Sequence, residues 1–568
     1  METRNCQNCK NDFNIEPDDF SFYEKIKVPP PTFCPECRMA RRLIWRNERS
    51  LTKRECGLCK KSLISMYSDE DAPVYCVECW NGNGWDQFAT AKDYDFDKPF
   101  FVQLRDLFRI NPRFYAYKFG NFVNSEFVNY AKDDKNCYLS YSVIDCEDIL
   151  YSTIIDVSKN SIDCFNVMKI DGCSENINCE GNYNTHFGVM SQTCLDSYFL
   201  YDCVNCSNCF MSSNLRNQQY VFYNEKLSKE EYQEKIKNLN LGKYSTIEKL
   251  KLEFKNLIRD HSIHKYAFIY ASENSSGDYI HHVRNVKKSF DVYESENLSY
   301  SFRSLYAKDS MDNSGCGYGE VIYESVAATM NSFRDSFCFL TIQGCRECEY
   351  SLVLKNCSNC FGCVGLTNAQ YCIFNKQYSK EDYFKMIDDI KKHMNEMPYI
   401  DLKGRVYKYG EFFPYDMCPF GYNEGGAHDY MRLSKAEADE KGYYWKEKEK
   451  KDYAITFESE NLPDDIFDVE ENIINQVISC PNNGDQMTQC TNAFKIVPAE
   501  LQFYKQKNLP LPRLCPNCRH YERLKYRNPM RLYKRSCSNG CGREFQTSYA
   551  PDRPEKVYCE QCYQAEVL

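Results

Sequence analysis

The sequence predicts a mainly β protein: a central two-part β-solenoid with helical caps, flanked by small α+β zinc-binding modules at both termini. Three observations predict this fold. C-x2-C pairs cluster near both ends, a short unit that often begins with cysteine recurs every nine residues from Cys137, and a longer motif from Asn205 recurs 151 residues later. A chain of 568 residues is expected to form several folding units.

The composition and spacing divide the chain into seven segments. They are an N-terminal double-zinc module (1–85), a connector with a helix (86–118), a first solenoid half with its capping helix (119–240), a helical linker (241–265), a second half with its capping helix (266–398), an ordered connector (399–475) and a C-terminal double-zinc module (476–568).

The N-terminal module contains four C-x2-C pairs. Two thiolates at this spacing sit on one tight turn and can both bind a tetrahedral Zn²⁺ at about 2.3 Å. Four pairs therefore predict two four-thiolate sites. We favour pairing of consecutive pairs, first with second and third with fourth, and the sequence leaves interleaved pairing open. The ligands are Cys6, Cys9, Cys34, Cys37, Cys56, Cys59, Cys76 and Cys79.

The C-terminal module is a duplicate of the first one. Cys490, Cys515, Cys518 and Cys537 each lie 481 residues after a cysteine of the N-terminal set, and Cys480, Cys541, Cys559 and Cys562 complete the second set. The chain is thus expected to hold up to four Zn²⁺. Because nine residues separate Cys480 from Cys490, that site is predicted to be the weakest, distorted or with part of its ligands unused. Four thiolates without an open position indicate structural rather than catalytic zinc.

Arginines recur at helical spacing after the second cysteine pair of each module. They predict a basic helix face suited to phosphate groups of RNA, a ribosome or DNA, with the two faces acting together on one polyanionic partner. The alternatives are a solvated face, or a docking surface for the acidic middle of the chain or for an acidic partner. The residues are Arg38, Arg42, Arg46 and Arg49, then Arg519, Arg523 and Arg527, followed by Lys534 and Arg535.

Charge is unevenly distributed along the chain. Residues 34–61 carry a net +6 and residues 505–535 a net +9, so the remainder carries −25 within the total of −10. Neither an apolar N-terminal leader nor a run long enough to span a bilayer is present in the sequence. We therefore expect no membrane partner and a cytoplasmic location, with a virion or other particle as the alternative, and thiols or metal ligands rather than disulfides.

The middle of the chain is built from short units such as "CYLSYSVID" and "CEDILYSTI". They predict strands, two units to a coil of about eighteen residues, with cysteines stacked inward as small apolar groups. The triplet Cys203, Cys206, Cys209 and its counterpart Cys357, Cys360, Cys363 lack the fourth cysteine and proline of an iron–sulfur motif, so packing is favoured. Ser228 and Ser379 are predicted N-caps of helices that close each half.

Catalytic residues are not predicted anywhere in the chain. Neither a P-loop, a dinucleotide-binding glycine motif, G-x-S-x-G nor H-E-x-x-H occurs, so the protein is predicted not to be an enzyme and has no evident small-molecule substrate. In the connector, His428 is expected to be a surface histidine, Cys418 has no supporting base, and Ser434 with Glu437 predicts a capping box.

Several longer stretches resemble a known family. The segments "RNERSLTKREC", "VYCVECW", "NCSNCFGCVGLTNAQYCIFNKQYSKEDY", "CPFGYNE", "RNPMRLYKRSC" and "SYAPDRPEKVYCEQCY" are similar to uncharacterised cysteine-rich proteins of small bacterial genomes and some large viruses. The resemblance implies no established activity. From the residues we predict a non-enzymatic zinc-binding scaffold that binds nucleic acid or a ribonucleoprotein through its arginine faces. The alternative is a structural or protein-interaction component of a particle, or a self-assembling one.

Overall fold

The computed structural model describes residues 1–68, 72–447 and 453–568, which form two compact units. Each unit combines segments that are far apart in the sequence. The N-terminal unit contains Met1–Ala116, Ala267–Lys446 and Met530–Leu532, and the C-terminal unit contains Tyr117–Tyr266, Glu447–Pro529 and Tyr533–Leu568. None of the helices in these described ranges is long and apolar enough to cross a membrane.

The N-terminal module consists of short hairpins and helices around its cysteines. Its strands are Glu2–Asn5, Asp12–Ile15, Thr52–Glu55, Ser62–Ser65 and Val74–Tyr75, and its helices are α1 (Pro17–Ile26), α2 (Pro35–Ile44) and α3 (Val77–Asn81). Helices α1 and α2 each begin at a proline, whose fixed φ suits the first helical position. Cys34 is the N-cap of α2, so the second cysteine pair lies at the start of the helix that carries the arginines.

An amphipathic helix and a short strand follow. Helix α4 (Phe100–Ile110) buries Phe100, Phe101, Leu104, Leu107 and Phe108 on one face. The strand Arg113–Phe114 then pairs in parallel with Val74–Tyr75 of the module. The chain therefore closes this part of the N-terminal unit before it enters the C-terminal unit at Tyr117.

The first parallel stack runs from Lys118 to Lys226. Its strands are Lys118–Phe119, Val128–Asn129, Ala131–Lys132, Ser140–Ile144, Glu147–Leu150, Thr153–Asp156, Lys159–Ile162, Phe165–Met168, Ile177–Glu180, Tyr183–Val189, Leu195–Tyr201, Ser207–Ser213, Gln219–Phe222 and Glu225–Lys226. Tyr141 pairs with Thr153, Thr153 with Phe165, and Phe165 with Ile177. The strand-rich prediction is confirmed, because strands in this register form a large parallel sheet.

The repeat length predicted from the sequence is wrong. Parallel partners in the first stack lie twelve residues apart, not eighteen. Every third residue from Tyr130 to Tyr223 has a positive φ, so a coil consists of four sides of three residues. A shift of nine residues covers three of the four sides, so it ends one side short of the position directly opposite in the next coil. The nine-residue spacing visible in the sequence therefore relates residues on neighbouring sides of successive coils.

Small side chains fill the narrow interior of each coil. Ser152 Oγ accepts the N–H of Cys164, twelve residues later, and Ser161 Oγ accepts that of Cys173 in the same way. Cys146 Sγ donates to Ile144 O at 3.2 Å. The inward packing of cysteines predicted from the sequence is therefore what the structure shows: of 34 cysteines, seventeen are buried in the two stacks.

Helices close the first stack, and a second stack follows. Helix α5 (Lys229–Asn238) has the predicted cap at Ser228, and α6 (Tyr244–Asn256) continues as a π-helical turn, Leu257–His261. The strand Ile263–Lys265 precedes the second stack, whose strands are Ile269–Tyr270, Gly277–His281, Arg284–Lys287, Ser289–Tyr293, Glu296–Ser299, Phe302–Leu305, Lys308–Ser314, Tyr323–Val326, Phe339–Ile342, Leu352–Lys355, Ser358–Phe361, Gln370–Ile373 and Lys376–Gln377. Helix α7 (Lys380–Glu396), capped by Ser379, closes it.

The remaining residues belong to the connector and the C-terminal module. Connector elements are strands Tyr399–Ile400 and Val406–Tyr407, helices α8 (Gly426–Tyr430) and α9 (Lys435–Glu440), and 3-10 turns Tyr415–Met417, Ser459–Asn461, Ile466–Asp468 and Glu471–Asn475. The module has strands Ile478–Ser479, Ala493–Phe494, Tyr533–Ser536, Glu544–Thr547 and Lys556–Tyr558 and helices α10 (Pro498–Lys507), α11 (Pro516–Leu524) and α12 (Glu560–Val567). The Ser434 capping box is present, but His428 is fully buried, so its predicted surface position is wrong.

Candidate metal centres and arginine docking sites

The sixteen predicted metal ligands come together as four groups of four thiols. In each group all Sγ atoms lie within 4.8 Å of one another. Consecutive pairs combine, as favoured from the sequence. We call the groups Cys6/Cys9/Cys34/Cys37 and Cys480/Cys490/Cys515/Cys518 the inner sites, and Cys56/Cys59/Cys76/Cys79 and Cys537/Cys541/Cys559/Cys562 the outer sites.

The sulfur separations fit a tetrahedral metal ion. Four sulfurs at about 2.3 Å from a tetrahedral Zn²⁺ lie about 3.8 Å apart. The Sγ–Sγ distances are 3.7 Å for Cys9–Cys34, 3.8 Å for Cys59–Cys76, 3.9 Å for Cys480–Cys518 and 3.7 Å for Cys541–Cys559. In each group this sulfur–sulfur distance therefore matches a tetrahedral zinc site, and the remaining Sγ atoms lie within 4.8 Å of one another.

The same backbone hydrogen bond recurs in every group. The N–H of the third cysteine donates to the Sγ of the first cysteine, at 3.2 Å for Cys34 to Cys6 and 3.4 Å for Cys76 to Cys56. The distance is 3.3 Å both for Cys515 to Cys480 and for Cys559 to Cys537. An N–H donor directed at sulfur favours the thiolate, the form that binds metal.

The long interval between Cys480 and Cys490 does not open the second inner site. The intervening residues fold back, and the N–H of Cys490 donates to Asp485 O at 2.9 Å. All four thiols of this group are buried, and their Sγ atoms lie within 4.8 Å of one another, as in the other three groups. A longer turn can therefore present two cysteines as closely as a two-residue spacer, and the weaker metal binding of this site stays a prediction.

Helix α2 docks on the second stack through Arg38 and Arg42. Arg38 Nη2 lies 2.8 Å from Asp312 Oδ2, and Arg42 Nη1 lies 3.0 Å from Asp312 Oδ1. Arg42 Nη2 also donates to Tyr300 O at 3.2 Å. One buried carboxylate thus binds both guanidinium groups, one on each oxygen.

Arg41 adds a third buried contact on the same helix. It donates to Glu324 Oε1 at 2.5 Å and to Glu411 Oε2 at 3.1 Å, and its guanidinium lies 4.2 Å from the centre of the Phe33 ring. The sequence reasoning passed over Arg41 because it does not belong to the repeated stripe: its counterpart in the C-terminal module is Glu522.

Helix α11 docks on the first stack by the same contacts. Arg519 Nη1 lies 2.9 Å from Asp163 Oδ2, Arg523 Nη1 lies 2.6 Å from Asp163 Oδ1, and Arg523 Nη2 donates to Tyr151 O at 2.9 Å. Asp163 and Tyr151 each lie 149 residues before Asp312 and Tyr300. The duplication therefore includes the docking site as well as the module.

An acid from the first helix of each module completes these sites. Tyr300 Oη donates to Asp19 Oδ2 at 3.0 Å, and Tyr151 Oη donates to Glu500 Oε2 at 2.9 Å. Asp19 and Glu500 are 481 residues apart. The offset of 481 residues in the modules and the offset of 149 residues at this point of the stacks are the sequence signal that identifies the missed acidic residues. The later motif from Asn205 has an offset of 151 residues, so the two stacks differ by two residues between these points.

Burial and charge act in opposite directions on these groups. Burial disfavours the charged form of Arg38, but the field of Asp312 outweighs it and the pKa of Arg38 stays well above its ordinary value. Arg519 behaves in the same way beside Asp163. For Glu324 burial is stronger than the attraction of Arg41, and its pKa is raised. Burial lowers the pKa of Arg42, which shares the carboxylate with Arg38, whereas Arg38 and Arg519 are held in the charged form by their aspartates.

The exposed arginine faces predicted from the sequence are not present in the fold. Arg38, Arg42, Arg46, Arg519 and Arg523 are all buried. Helices α2 and α11 end at Ile44 and Leu524, so the helical stripe is shorter than predicted. The docking alternative, in which the arginines contact the acidic middle, is the arrangement observed. The physical reason is that one buried aspartate binds two guanidinium groups, one through each carboxylate oxygen, and these charge-assisted hydrogen bonds compete with any phosphate.

The other predicted basic residues lie beyond these helices. Arg46 donates to Ser314 O at 3.3 Å beside Gly315, where a Cβ would lie 1.8 Å from Arg46 Nη1. Arg49 lies 3.5 Å from Asp429, and the guanidinium of Arg527 lies over the Phe165 ring. Arg535 donates to Ala550 O and Glu555 O, and Lys534 is exposed.

The cysteine triplets of the stacks do not form a metal group. Among the described residues, the groups of three or more ligands that can hold a metal ion are the four terminal ones. Cys203, Cys206, Cys209, Cys357, Cys360 and Cys363 are instead buried inward residues. The packing interpretation favoured from the sequence agrees with this placement.

Comparisons with known proteins give little further information. The chain matches no family model and no curated protein, so the family resemblance stays a prediction. Among solved structures, one match is the crystal structure of a "putative acetyltransferase from Desulfovibrio desulfuricans G20". It is 9% identical, with 51% of this chain and 86% of that chain covered and a TM-score of 0.10. A score this low carries no argument about fold or activity.

Proposed function

We propose that the protein is a non-enzymatic scaffold, a two-part β-solenoid to which zinc-stabilised modules are fixed. Most of its coils have twelve residues, and a few in the second stack have eleven or thirteen. One observation carries this proposal: the paired arginines of each module close on a single buried aspartate of a parallel stack. Residues used in this way hold one part of the chain to another. They are not a free surface for a substrate.

The metal at all four sites is proposed to be Zn²⁺ with a structural role. Four thiolates suit Zn²⁺, and a site whose four positions are filled by protein has none left for a reacting water. When bound, the ion supplies folding energy by joining two cysteine turns that have little apolar core of their own. The chain itself orients the ligands through the recurring N–H to sulfur bonds.

Two buried histidines support a role without catalysis. His264 Nδ1 lies 2.7 Å from Tyr201 Oη, and its Nε2 lies 2.8 Å from Ile258 O. His186 Nδ1 lies 2.7 Å from Ser174 Oγ. Burial lowers the pKa of His264 to about 4 and that of His186 to about 3. Both rings are therefore neutral hydrogen-bonding groups at neutral pH.

The surfaces of the stacks favour assembly with protein over nucleic-acid binding. On the second stack, Asn274, Asn285, Asn297 and Asp309 form a ladder of side-chain hydrogen bonds of 2.7 to 2.9 Å. On the first stack, Lys135 and Lys159 flank Glu147 at 2.5 and 3.4 Å. These regular polar rows have little net positive charge, and five of the arginines predicted to bind phosphate, Arg38, Arg42, Arg46, Arg519 and Arg523, are buried.

Metal analysis and a nucleic-acid binding assay test the proposal together. Purified chain is expected to contain four zinc ions; iron in their place, or fewer than three metal ions in folded protein, would contradict it. A labelled RNA hairpin and a DNA duplex are titrated with the chain between about 50 and 200 mM salt. We expect no salt-dependent binding. Binding that weakens steeply with salt would favour the nucleic-acid alternative.

A further inference from the structure

We propose that the two outer sites are oxidation-sensitive and release their metal on reaction with a two-electron oxidant such as hydrogen peroxide, whereas the inner sites retain it. This inference rests on the proposed zinc occupancy of all four sites. It assigns different roles to sites with the same ligand set, because their surroundings differ.

Accessibility separates the outer from the inner sites. Cys59 and Cys541 are exposed, and Cys79 and Cys562 are half-buried. Of the eight inner thiols, Cys9 is half-buried and the other seven are buried, so an exposed ligand occurs at the outer sites and not at the inner ones. The exposed thiol occupies the same place in both modules although the spacing to the preceding cysteine differs. A thiolate bound to zinc must still be reached by the oxidant, and reactivity of cysteine follows thiolate character and access.

The inner sites are covered by aromatic and amide side chains. Asn8 Nδ2 donates to Cys37 Sγ at 3.3 Å and to Tyr443 Oη at 3.1 Å, and Tyr415 Oη donates to Cys37 O at 3.2 Å. In the C-terminal module all four inner thiols are buried, at most 4% exposed. Helices α2 and α11 begin at the inner sites. Exposure of the inner thiols is therefore expected to require that these helices detach from the stacks.

The reaction needs two neighbouring thiolates and one peroxide. The sulfur of Cys59 attacks peroxide, the O–O bond breaks, and a sulfenic acid forms while hydroxide leaves and takes up a proton. The sulfur of Cys76, 3.8 Å away, then attacks the sulfenic acid sulfur and forms the S–S bond, and the displaced hydroxide takes up a second proton and leaves as water. Two electrons pass from the two sulfurs to peroxide, and the new disulfide leaves two thiolates at the site to hold a metal ion. Cys541 and Cys559, 3.7 Å apart, can react in the same way.

Loss of an outer metal ion would loosen a specific pair of strands. Val74–Tyr75 leads into Cys76 and pairs with Arg113–Phe114. Lys556–Tyr558 leads into Cys559 and pairs with Ile263–Lys265. Arg113–Phe114 and Ile263–Lys265 lie directly before the first and second stacks, so oxidation at the outer sites acts on the segments that lead into the stacks.

Graded oxidation of the zinc-loaded full chain tests the inference. Hydrogen peroxide is added stepwise, released zinc is measured with a colorimetric indicator, and thiols are mapped by alkylation and peptide mass spectrometry. We expect two of the four ions to leave first, with disulfides confined to the outer cysteines. Release of all four ions together, or oxidation of inner cysteines first, would overturn the inference. A chain with fewer than three ions before oxidation would instead contradict the proposed function.

A variant that uncovers one inner site sharpens the test. Tyr443→Ala removes the cover over Asn8 and Cys37, and we expect a third ion to become releasable by peroxide. The C-terminal inner site in the same chain is the internal control and is expected to keep its ion. Tyr443→Phe retains the ring and is expected to behave as the unmodified chain. If Tyr443→Ala folds with four ions and still releases two, burial is not the cause of the difference.

Discussion

At the scale of single residues, two aspartates determine where the modules attach. Asp312 and Asp163 each hold two guanidinium groups, one on each carboxylate oxygen, within 3.0 Å. Both aspartates have a positive φ, near 56° and 55°. They therefore sit at the corners of their coils, where Asp tolerates the left-handed backbone better than most residues. The same residue satisfies the coil geometry and binds the module.

Neutralising Asp312 is expected to destabilise the N-terminal unit strongly. Asp312→Asn leaves Arg38 and Arg42 buried without their counter-charge, which costs about 3–5 kcal/mol of unfolding free energy. Denaturant unfolding followed by fluorescence measures the change. The matched control is Asp309→Asn, where a partly exposed carboxylate lies 3.2 Å from Lys25 and the cost is expected to stay below about 1 kcal/mol. Equal effects of the two variants would contradict the docking role.

Acid is expected to destabilise the C-terminal unit through His264. Its pKa is lowered by burial from 6.5 to about 4, so the unfolded chain binds the proton more tightly than the folded one. The stabilisation is complete above pH 6.5 and is lost as the pH falls towards 4, by about 3 kcal/mol over that range. The measurement is unfolding free energy between pH 5 and 7 for the unmodified chain and His264→Phe. The variant is expected to show a shallower slope; identical slopes would refute the assignment.

At the scale of elements, the stacks explain why the chain is rich in cysteine and serine. The buried clusters of the stacks combine cysteine with Val, Ile and Leu, and Ser Oγ accepts an inward N–H of the next coil. Cysteine fills the same volume as a small apolar group. Helices α5 and α7 then cover the last strands, with Tyr232 and Tyr383 buried against them.

Removal of whole coils is expected to be tolerated, whereas removal of nine residues is not. Deletion of 284–295 removes one coil of twelve residues and keeps every later side in register. Deletion of 284–292 leaves one side of three residues in excess. In a stack that interacts only with neighbouring coils, the first deletion should lower the melting temperature modestly and the second far more. Similar melting temperatures for both deletions would argue against the twelve-residue coil.

At the scale of the whole molecule, each module shares a unit with the stack farther from it in the sequence. The N-terminal module is grouped with the second stack, and the C-terminal module with the first. The connecting helices follow the same rule. Helix α4 precedes the first stack in the sequence but contacts the second one, through Phe100 and Phe361. Helix α6 precedes the second stack but contacts the first one, through Phe254 and Phe199. Each unit is therefore completed by a segment that the chain reaches only after it has passed through the other unit.

Loss of an inner metal site is expected to reduce hydrogen-exchange protection in the stack that is farther away in the sequence. Cys37→Ser removes a ligand at the start of the docked helix α2 and should reduce hydrogen-exchange protection in the second stack, while the first stack keeps its protection. Cys518→Ser should do the reverse. Hydrogen–deuterium exchange with mass spectrometry on the full chain resolves the two stacks. Loss of protection in the stack nearer in sequence would contradict the crossed grouping.

The sequence by itself determined the features that depend on local spacing. The sixteen clustered cysteines, the caps at Ser228 and Ser379 and the strand-rich middle all follow from residues a few positions apart or from direct duplication. The sequence favoured consecutive pairing of the cysteine pairs but left interleaved pairing open, and the grouping of the thiols in the fold decides between them. The tertiary structure alone decided the coil of twelve residues, the burial of the arginines and the choice of the distant stack. Register depends on backbone bonds between coils, and an arginine stripe looks the same whether it faces water or a buried aspartate. Only the long-range fold brings Asp312 to helix α2 and Asp163 to helix α11, and this contact decides that the arginines are buried in ion pairs and do not face water.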